Sequence, residues 1–284
     1  MLIQWLKHLI RSQILAFLVS LLFIVSIVTP TFTDSPLTVR RQLQLDSAHT
    51  LYDHHATIGT ILLHVPIFDQ LPSLYNGCEV TSLAMLLRYE GFSVTPRLLA
   101  RQIGRDPTPI KMGPGGNIVY WGNPNLGFVG SISGRTPGYG VYHGPLFQLM
   151  RRYLPHRAQD VTGIHFRNLL RILATGRPVV VWTTINFSPV SNWITWESPS
   201  GAVRATLQEH AVVTVGYNQH DVFVNNPLNG EANEPVPIAS FRASWIALGR
   251  QAITLSAKRD ATLFKRKSMS QYGSTKAVHG GKKP

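Results

Sequence analysis

The pattern of apolar and polar positions changes period several times along the chain, and each change marks an element. The first apolar block, Ile14 to Val28, carries no charge and is apolar on every face. Lys7 and Arg11 precede it. Such a block beside a chain terminus predicts a membrane-targeting segment rather than a buried core helix. Thr31-Phe32-Thr33 stands where a small-residue cleavage site would be. Residues 1–33 are therefore expected to form a signal-anchor, with a cleaved signal peptide as the alternative. Residues 34–57 are polar and read as a stalk.

Ile58 to Val65 alternates and is β-branched, which predicts a strand. Gly77 to Tyr89 is an apolar helical run stopped by Gly91. Thr95-Pro96 supplies a capping residue and a proline at the first helical position, opening a short helix to Ile103. Gly104 to Gly144 is rich in Gly, Pro and aromatics and has no clear period. So long a stretch predicts a functional wall or lid, with Trp121, Tyr139 and Tyr142 as its bulk. Pro145 to Tyr153 and Phe166 to Thr175 read as helices, the second ended by Gly176. Val179 to Ile185 predicts a buried strand, and Asn186 to Gln208 a loop. His210 to Tyr217 and Asp221 to Asn225 predict a hairpin across Asn218-Gln219-His220. Ile238 to Leu248 reads as a helix and Ala252 to Leu255 as a last strand. Helices precede strands, the order of an α+β fold rather than of repeated βαβ units. The compact domain is expected over residues 58–256, followed by a tail over 257–284.

Charge changes the picture only locally. The net charge is +13, and from Lys258 to Pro284 eight Lys and Arg face Asp260 alone, a local excess of +7. This tail predicts a solvated, disordered extension, or attachment to an anionic cell-surface polymer or lipid headgroups. Nucleic acid is not an expected partner, since no zinc spacing, recognition-helix pattern or aromatic ribonucleoprotein motif accompanies the charge. Asp53, His54 and His55 are adjacent and point in different directions, so no metal site is predicted there. No phosphate loop or dinucleotide fingerprint occurs, and no cofactor is expected.

Cys78 is the one cysteine of the chain, so no internal disulfide can form. It follows Gly77 at the first turn of an apolar helix, where free backbone N–H groups and the helix dipole are expected to lower its pKa and favour the thiolate. His210 opens an apolar strand and is the candidate base. Asn226, directly before Pro227, is the candidate to orient the imidazole by accepting its Nδ1–H. Asn225 is the competitor, and alternation along a strand lets only one of the two face the ring. Gln70, eight positions before Cys78, would donate its amide to an oxyanion beside the Cys78 N–H. Nucleophile, base and amide stand in papain-type chain order.

These residues resemble a known family. Val65-Pro66 to Gln70, Asn76-Gly77-Cys78 to Gly91, and Glu209-His210 to Asn226-Pro227 are similar to papain-like cysteine peptidases related to the bacteriocin-leader (double-glycine) peptidases, in the stand-alone exported branch. Gly127-Phe128-Val129-Gly130, Gly138 to Pro145 and Val181 to Thr184 extend the likeness over roughly Ile61 to Leu255. The resemblance implies a papain-like α+β fold with a helical part carrying the cysteine and an antiparallel sheet carrying the histidine. It implies Cys78 as nucleophile, His210 as base and Gln70 as oxyanion residue. The family's third residue is usually aspartate before proline, and Asn226 stands there. The implied activity is hydrolysis of peptide bonds in a peptide or protein substrate, outside the membrane or in the medium. Two other functions fit the same residues: a catalytically inactive cell-surface binding module, and an amidase or transpeptidase acting on cell-wall peptides.

Overall fold

The computed structural model of the chain describes residues 59–257. The expected signal-anchor, the stalk with Asp53, His54 and His55, and the tail from Lys258 lie outside the described residues. Among the described residues no helix is long and apolar enough to cross a membrane.

The centre is an antiparallel sheet. Its strands are β1 (Ile61–Leu62), β7 (Ala158–Asp160), β8 (Val179–Thr184), β11 (Glu209–Tyr217), β12 (Asp221–Asn226), β13 (Glu231–Pro237) and β14 (Ala252–Leu255). The order is β13-β12-β11-β8-β14-β7. β8 pairs with β11 from Glu209 to Thr214, and β1 pairs with Tyr217 and Gly216 beyond that point. A Cβ at Gly216 would lie 2.1 Å from the Ile61 carbonyl oxygen, so only glycine permits this approach.

Both faces of the sheet are covered, which is why β8 and β11 are buried at every position. Val180, Trp182, Ala211, Val213 and Val215 face α1 (Cys78–Tyr89) and α3 (His143–Tyr153) in one core. Val179, Val181 and Val212 face Leu169 and Leu173 of α4 (Phe166–Ala174) and Phe241 and Trp245 of α5 (Ile238–Ala247) in the other. Alternation along the strands sends neighbouring residues to opposite cores. α2 (Pro96–Gln102) starts on Thr95, whose hydroxyl accepts from the Leu98 N–H at 3.2 Å. The architecture is α+β, with the cysteine on a helix and the histidine on an antiparallel sheet.

Four stretches depart from the expected elements. Ile58 to Val65 is paired only at Ile61–Leu62, because β8 already holds most of the available edge of β11. Asn186 to Gln208 is not simply a loop; it holds the hairpin of β9 (Ile194–Ser198) and β10 (Gly201–Ala205). Pro199-Ser200 is the turn of that hairpin rather than part of a long connection. β7 and β13 form the two edges of the sheet, where short or polar strands with prolines are tolerated.

The glycine-rich stretch folds as short strands: β2 (Arg105–Asp106), β3 (Lys111–Met112), β4 (Ile118–Tyr120), β5 (Phe128–Gly130) and β6 (Gly138–Gly140). β2, β5 and β6 form one small sheet, and β3 and β4 join β9 and β10 in another. Trp121, Tyr139 and Trp196 pack ring against ring and hold these pieces together.

Candidate active site

The segment before α1 is a clamped turn. The Gln70 carbonyl accepts from the Leu74 N–H at 2.8 Å, and the Leu74 carbonyl accepts from the Gly77 N–H at 2.9 Å. A Cβ on Gly77 would fall 2.6 Å from Leu74 Cβ, so the turn needs glycine for space. The Gln70 N–H donates to the Pro227 carbonyl at 2.9 Å, which ties this turn to the end of β12. Cys78 is the first residue of α1 and its thiol is buried and free.

His210 sits on β11 opposite Thr183 of β8 and is buried. Its Nε2 lies 2.9 Å from Asn226 Oδ1. The expected contact was through Nδ1; the structure uses Nε2 and leaves Nδ1 as the second ring nitrogen. Asn225 turns the other way. Its amide nitrogen donates to the Val65 carbonyl at 2.8 Å, and its oxygen accepts from the Asn233 N–H at 3.0 Å. Asn226 also donates to Glu234 Oε2 at 2.8 Å and accepts from the Leu228 N–H at 3.1 Å.

Cys78, His210 and Gln70 line one cavity of about 260 Å³, with Asn76, Tyr139 and Glu209. Gln70 Nε2 donates to the Tyr75 carbonyl at 3.0 Å, and its Oε1 is buried without a partner. Tyr139 places the glycine-rich stretch on the cavity wall. Its hydroxyl is 2.7 Å from that of Tyr142, which lines a different cavity. Trp121 supports Tyr139 from behind.

The electrostatics reverse one expectation. The Cys78 thiol is held well above its ordinary pKa, first by burial, then by Glu79 and Glu209. A hydrogen bond from the Ala211 N–H lowers it and does not offset these effects. The helix N-terminus therefore does not produce a resting thiolate, because desolvation and two nearby carboxyls outweigh the dipole. Burial also lowers the His210 pKa, against upward effects of Asn226 and Glu234. Thiol and imidazole both rest in their neutral forms.

Glu79 and Glu209 were not picked out from the sequence as site residues. Glu79 is fully buried beside Cys78, and its pKa is raised to about 7, chiefly by burial. Glu209 is buried beside His210, and its pKa is raised well above the ordinary carboxyl range by burial and by Glu79. The available signal was a carboxyl group at the head of an apolar helix and another at the head of an apolar strand. One oxygen of each and the Cys78 sulfur lie within 4.8 Å of one another.

A helix-borne cysteine and a sheet-borne histidine on one cavity, the histidine bonded to an amide, match the arrangement of the papain-like cysteine peptidase fold. Residues 62–253 match the Peptidase_C39 like family, and the chain belongs to that family. It is 41% identical to a Bacillus anthracis chain of known crystal structure, provisionally described as a C39-like peptidase. That alignment covers 71% of this chain and 99% of the other, with a TM-score of 0.64. The uncharacterised protein YvpB of Bacillus subtilis (strain 168) is 40% identical over 195 residues, which is 68% of this chain and 75% of YvpB.

Proposed function

We propose that the protein is a cysteine peptidase that hydrolyses peptide bonds, exported or anchored in the membrane with its catalytic domain outside. The observation that carries this reading is the shared cavity: Cys78, His210 and Gln70 line it, and Asn226 holds the far nitrogen of the imidazole. The bond to Asn226 places the proton on Nε2, so Nδ1 is the nitrogen free to take the thiol proton.

Cys78 transfers its proton to His210 Nδ1 as its sulfur attacks the substrate carbonyl carbon. The carbonyl π electrons move to oxygen. The oxyanion accepts from the Cys78 backbone N–H and from the second hydrogen of Gln70 Nε2, whose first hydrogen is fixed on the Tyr75 carbonyl. Collapse breaks the C–N bond, and His210 returns its proton to the leaving amine. Water then attacks the thioester with His210 as base, releasing the acid and restoring the thiol. Proton transfer is coupled to attack, because thiol and imidazole both rest neutral.

Treatment with an iodoacetamide-type probe and digestion of a peptide library, each with wild type and Cys78→Ala, test the reading. Wild type is expected to be labelled at Cys78 and to cleave, and Cys78→Ala to lose cleavage by about 10³-fold or more. Cleavage unchanged in Cys78→Ala rejects the mechanism. An inactive binding module gives no cleavage by either protein, and an amidase or transpeptidase gives products other than simple peptide hydrolysis.

The location rests on the sequence: Lys7 and Arg11, then Ile14 to Val28, then no good cleavage site. Residues 1–33 would anchor the chain, residues 34–57 would act as the stalk and residues 58–256 as the peptidase domain. The basic tail over residues 257–284 would meet anionic surface polymers on the same outer side. N-terminal sequencing of membrane and medium fractions checks this. A mature chain beginning after Thr33 in the medium replaces the anchor with a signal peptide. Protection of the domain from protease on intact cells overturns the outward orientation.

A further inference from the structure

Two carboxyl groups stand beside the proposed nucleophile, and each is next in sequence to a residue of the proposed machinery. Glu79 follows Cys78 on α1, and Glu209 precedes His210 on β11. Their exposures are 0% and 8%. The Val141 N–H donates to Glu79 Oε1 at 2.6 Å. The Cys78 thiol hydrogen-bonds the Glu79 carboxyl, and beyond that contact Glu79 Oε2 and Glu209 Oε1 are buried with no hydrogen-bond partner. Gly140 makes room for the pair: a Cβ there would lie 2.2 Å from Glu79 Oε1 and 3.1 Å from Glu209 Oε2.

The groups facing the pair are the Cys78 thiol on α1, the Tyr139 and Tyr142 hydroxyls on β6 and the turn after it, and the Val141 N–H. No lysine or arginine among the described residues acts on either carboxyl. Two carboxylates so close, buried and without a cation, cannot both stay ionised. A buried acceptor left without a donor is also costly. One proton kept on the pair, whose oxygens approach within 4.8 Å, removes the like-charge conflict and supplies a donor to a buried acceptor.

We propose that Glu79 and Glu209 hold one proton in common and act as positioning residues, fastening the Cys78 helix to the His210 strand. What they position rests on the peptidase reading; the shared proton itself does not. The raised pKa values have the direction such a proton requires, with burial as the first cause in both. When the proton leaves, two like charges push α1 away from β11 and oppose ionisation of the Cys78 thiol.

The pH dependence has a definite sign. A carboxyl whose pKa is raised on folding holds its proton in the folded chain after the unfolded chain has lost it. Its contribution to stability is complete below the unfolded value and declines as pH rises through the folded value, here about 7 for Glu79 and well above the ordinary carboxyl range for Glu209.

The test uses the full chain as wild type, Glu79→Gln, Glu209→Gln, the double Gln variant and Glu209→Ala. A glutamine amide can donate permanently where the shared proton stood. Wild type should show the infrared carbonyl stretch of a protonated carboxyl at pH 6, fading as pH rises and missing from the double variant. The wild-type melting temperature should fall between pH 5 and 9 relative to the Gln variants. The midpoint of Cys78 alkylation should drop by about one pH unit or more in the double variant, since removing charge at this distance favours the thiolate. Glu209→Gln should keep hydrolysis that Glu209→Ala loses. Absence of the infrared band in wild type at pH 6 overturns the shared proton, whether or not the variants fold. An alkylation midpoint unmoved in folded Gln variants overturns the coupling to Cys78. Wild type that shows the band but cleaves no peptide rejects the peptidase reading and leaves the pair intact. Cleavage without the band does the reverse.

Discussion

His210 Nε2 lies 2.9 Å from Asn226 Oδ1, and Asn226 passes the connection on by donating from its amide to Glu234 Oε2 at 2.8 Å. The Leu228 N–H holds the same Asn226 oxygen from the side at 3.1 Å. The amide is thereby locked with its oxygen toward the ring, and the ring with its proton on Nε2. This explains why an amide stands where the resemblance leads one to expect a carboxylate. Glu234 already supplies an acceptor, and an aspartate at 226 would have no hydrogen to give it.

Asn226→Asp should therefore lower stability and activity when made alone, through repulsion between two adjacent carboxylates. Asn226→Asp with Glu234→Gln should recover much of both, because the glutamine can donate to the new carboxylate. Asn226→Ala should reduce kcat/KM by about 10²-fold, the scale of a misplaced catalytic group. Melting curves and kinetics on the three variants check the coupling. Equal losses in Asn226→Asp with and without Glu234→Gln would reject it.

The pH profile should carry the mark of a buried imidazole. His210 must be neutral to accept the thiol proton, and burial holds its pKa below the ordinary value. The acid limb of kcat/KM is therefore expected below about pH 6.5, the ordinary histidine range. Glu234 acts in the opposite direction, so Glu234→Gln should move the limb further toward acid. An acid limb above that range, or one shifted upward in Glu234→Gln, contradicts the assignment.

Much of this architecture is legible in the residue pattern, and the exceptions have physical causes. Cys78–Tyr89, Val179–Thr184 and the β11–β12 hairpin are long, strongly apolar and buried, so their period shows. Glu231–Pro237 is polar and contains two prolines, and becomes a strand only because β12 offers it an edge. Ile194–Ser198 and Gly201–Ala205 are short and amphipathic, and draw support from β4 and from the Trp121–Trp196–Tyr139 cluster, which local sequence does not reveal. Cys78, His210 and Gln70 could be named because chain order and neighbouring glycines point to them. Their electrostatic setting could not, since the thiol's pKa is raised first by burial in the folded core and then by Glu79 and Glu209, which meet across 130 residues of chain.

Gln70→Ala should act on the rate more than on binding. Gln70 Nε2 has one hydrogen committed to the Tyr75 carbonyl, which fixes the direction of the other. Loss of one preorganised oxyanion donor costs about 10²- to 10³-fold in kcat. KM should change little, because the donor serves charge that develops only in the transition state. A large rise in KM with kcat unchanged would assign Gln70 to substrate binding instead.

The Val141 peptide is the joint between the sheet, the cavity wall and α1. Its N–H donates to Glu79 Oε1 at 2.6 Å, and its carbonyl accepts from Trp182 Nε1 at 3.0 Å. Val141 and Trp182 are both fully buried, so no solvent can replace either bond. Trp182→Phe keeps an aromatic ring in the core but removes the only hydrogen-bond donor of that side chain. An acceptor left unpaired in such a place costs about 1–3 kcal/mol. The smaller ring also leaves unfilled space, which adds to the loss. Urea unfolding of Trp182→Phe should show a destabilisation of at least that size with little change in slope. Tyr139 lies two residues before Val141 and lines the cavity. The folded variant should therefore also bind substrate less well, with KM raised more than kcat is lowered. A stability within about 0.5 kcal/mol of wild type, the ordinary range for inconsequential surface changes, would show that the Trp182–Val141 bond does not hold this wall.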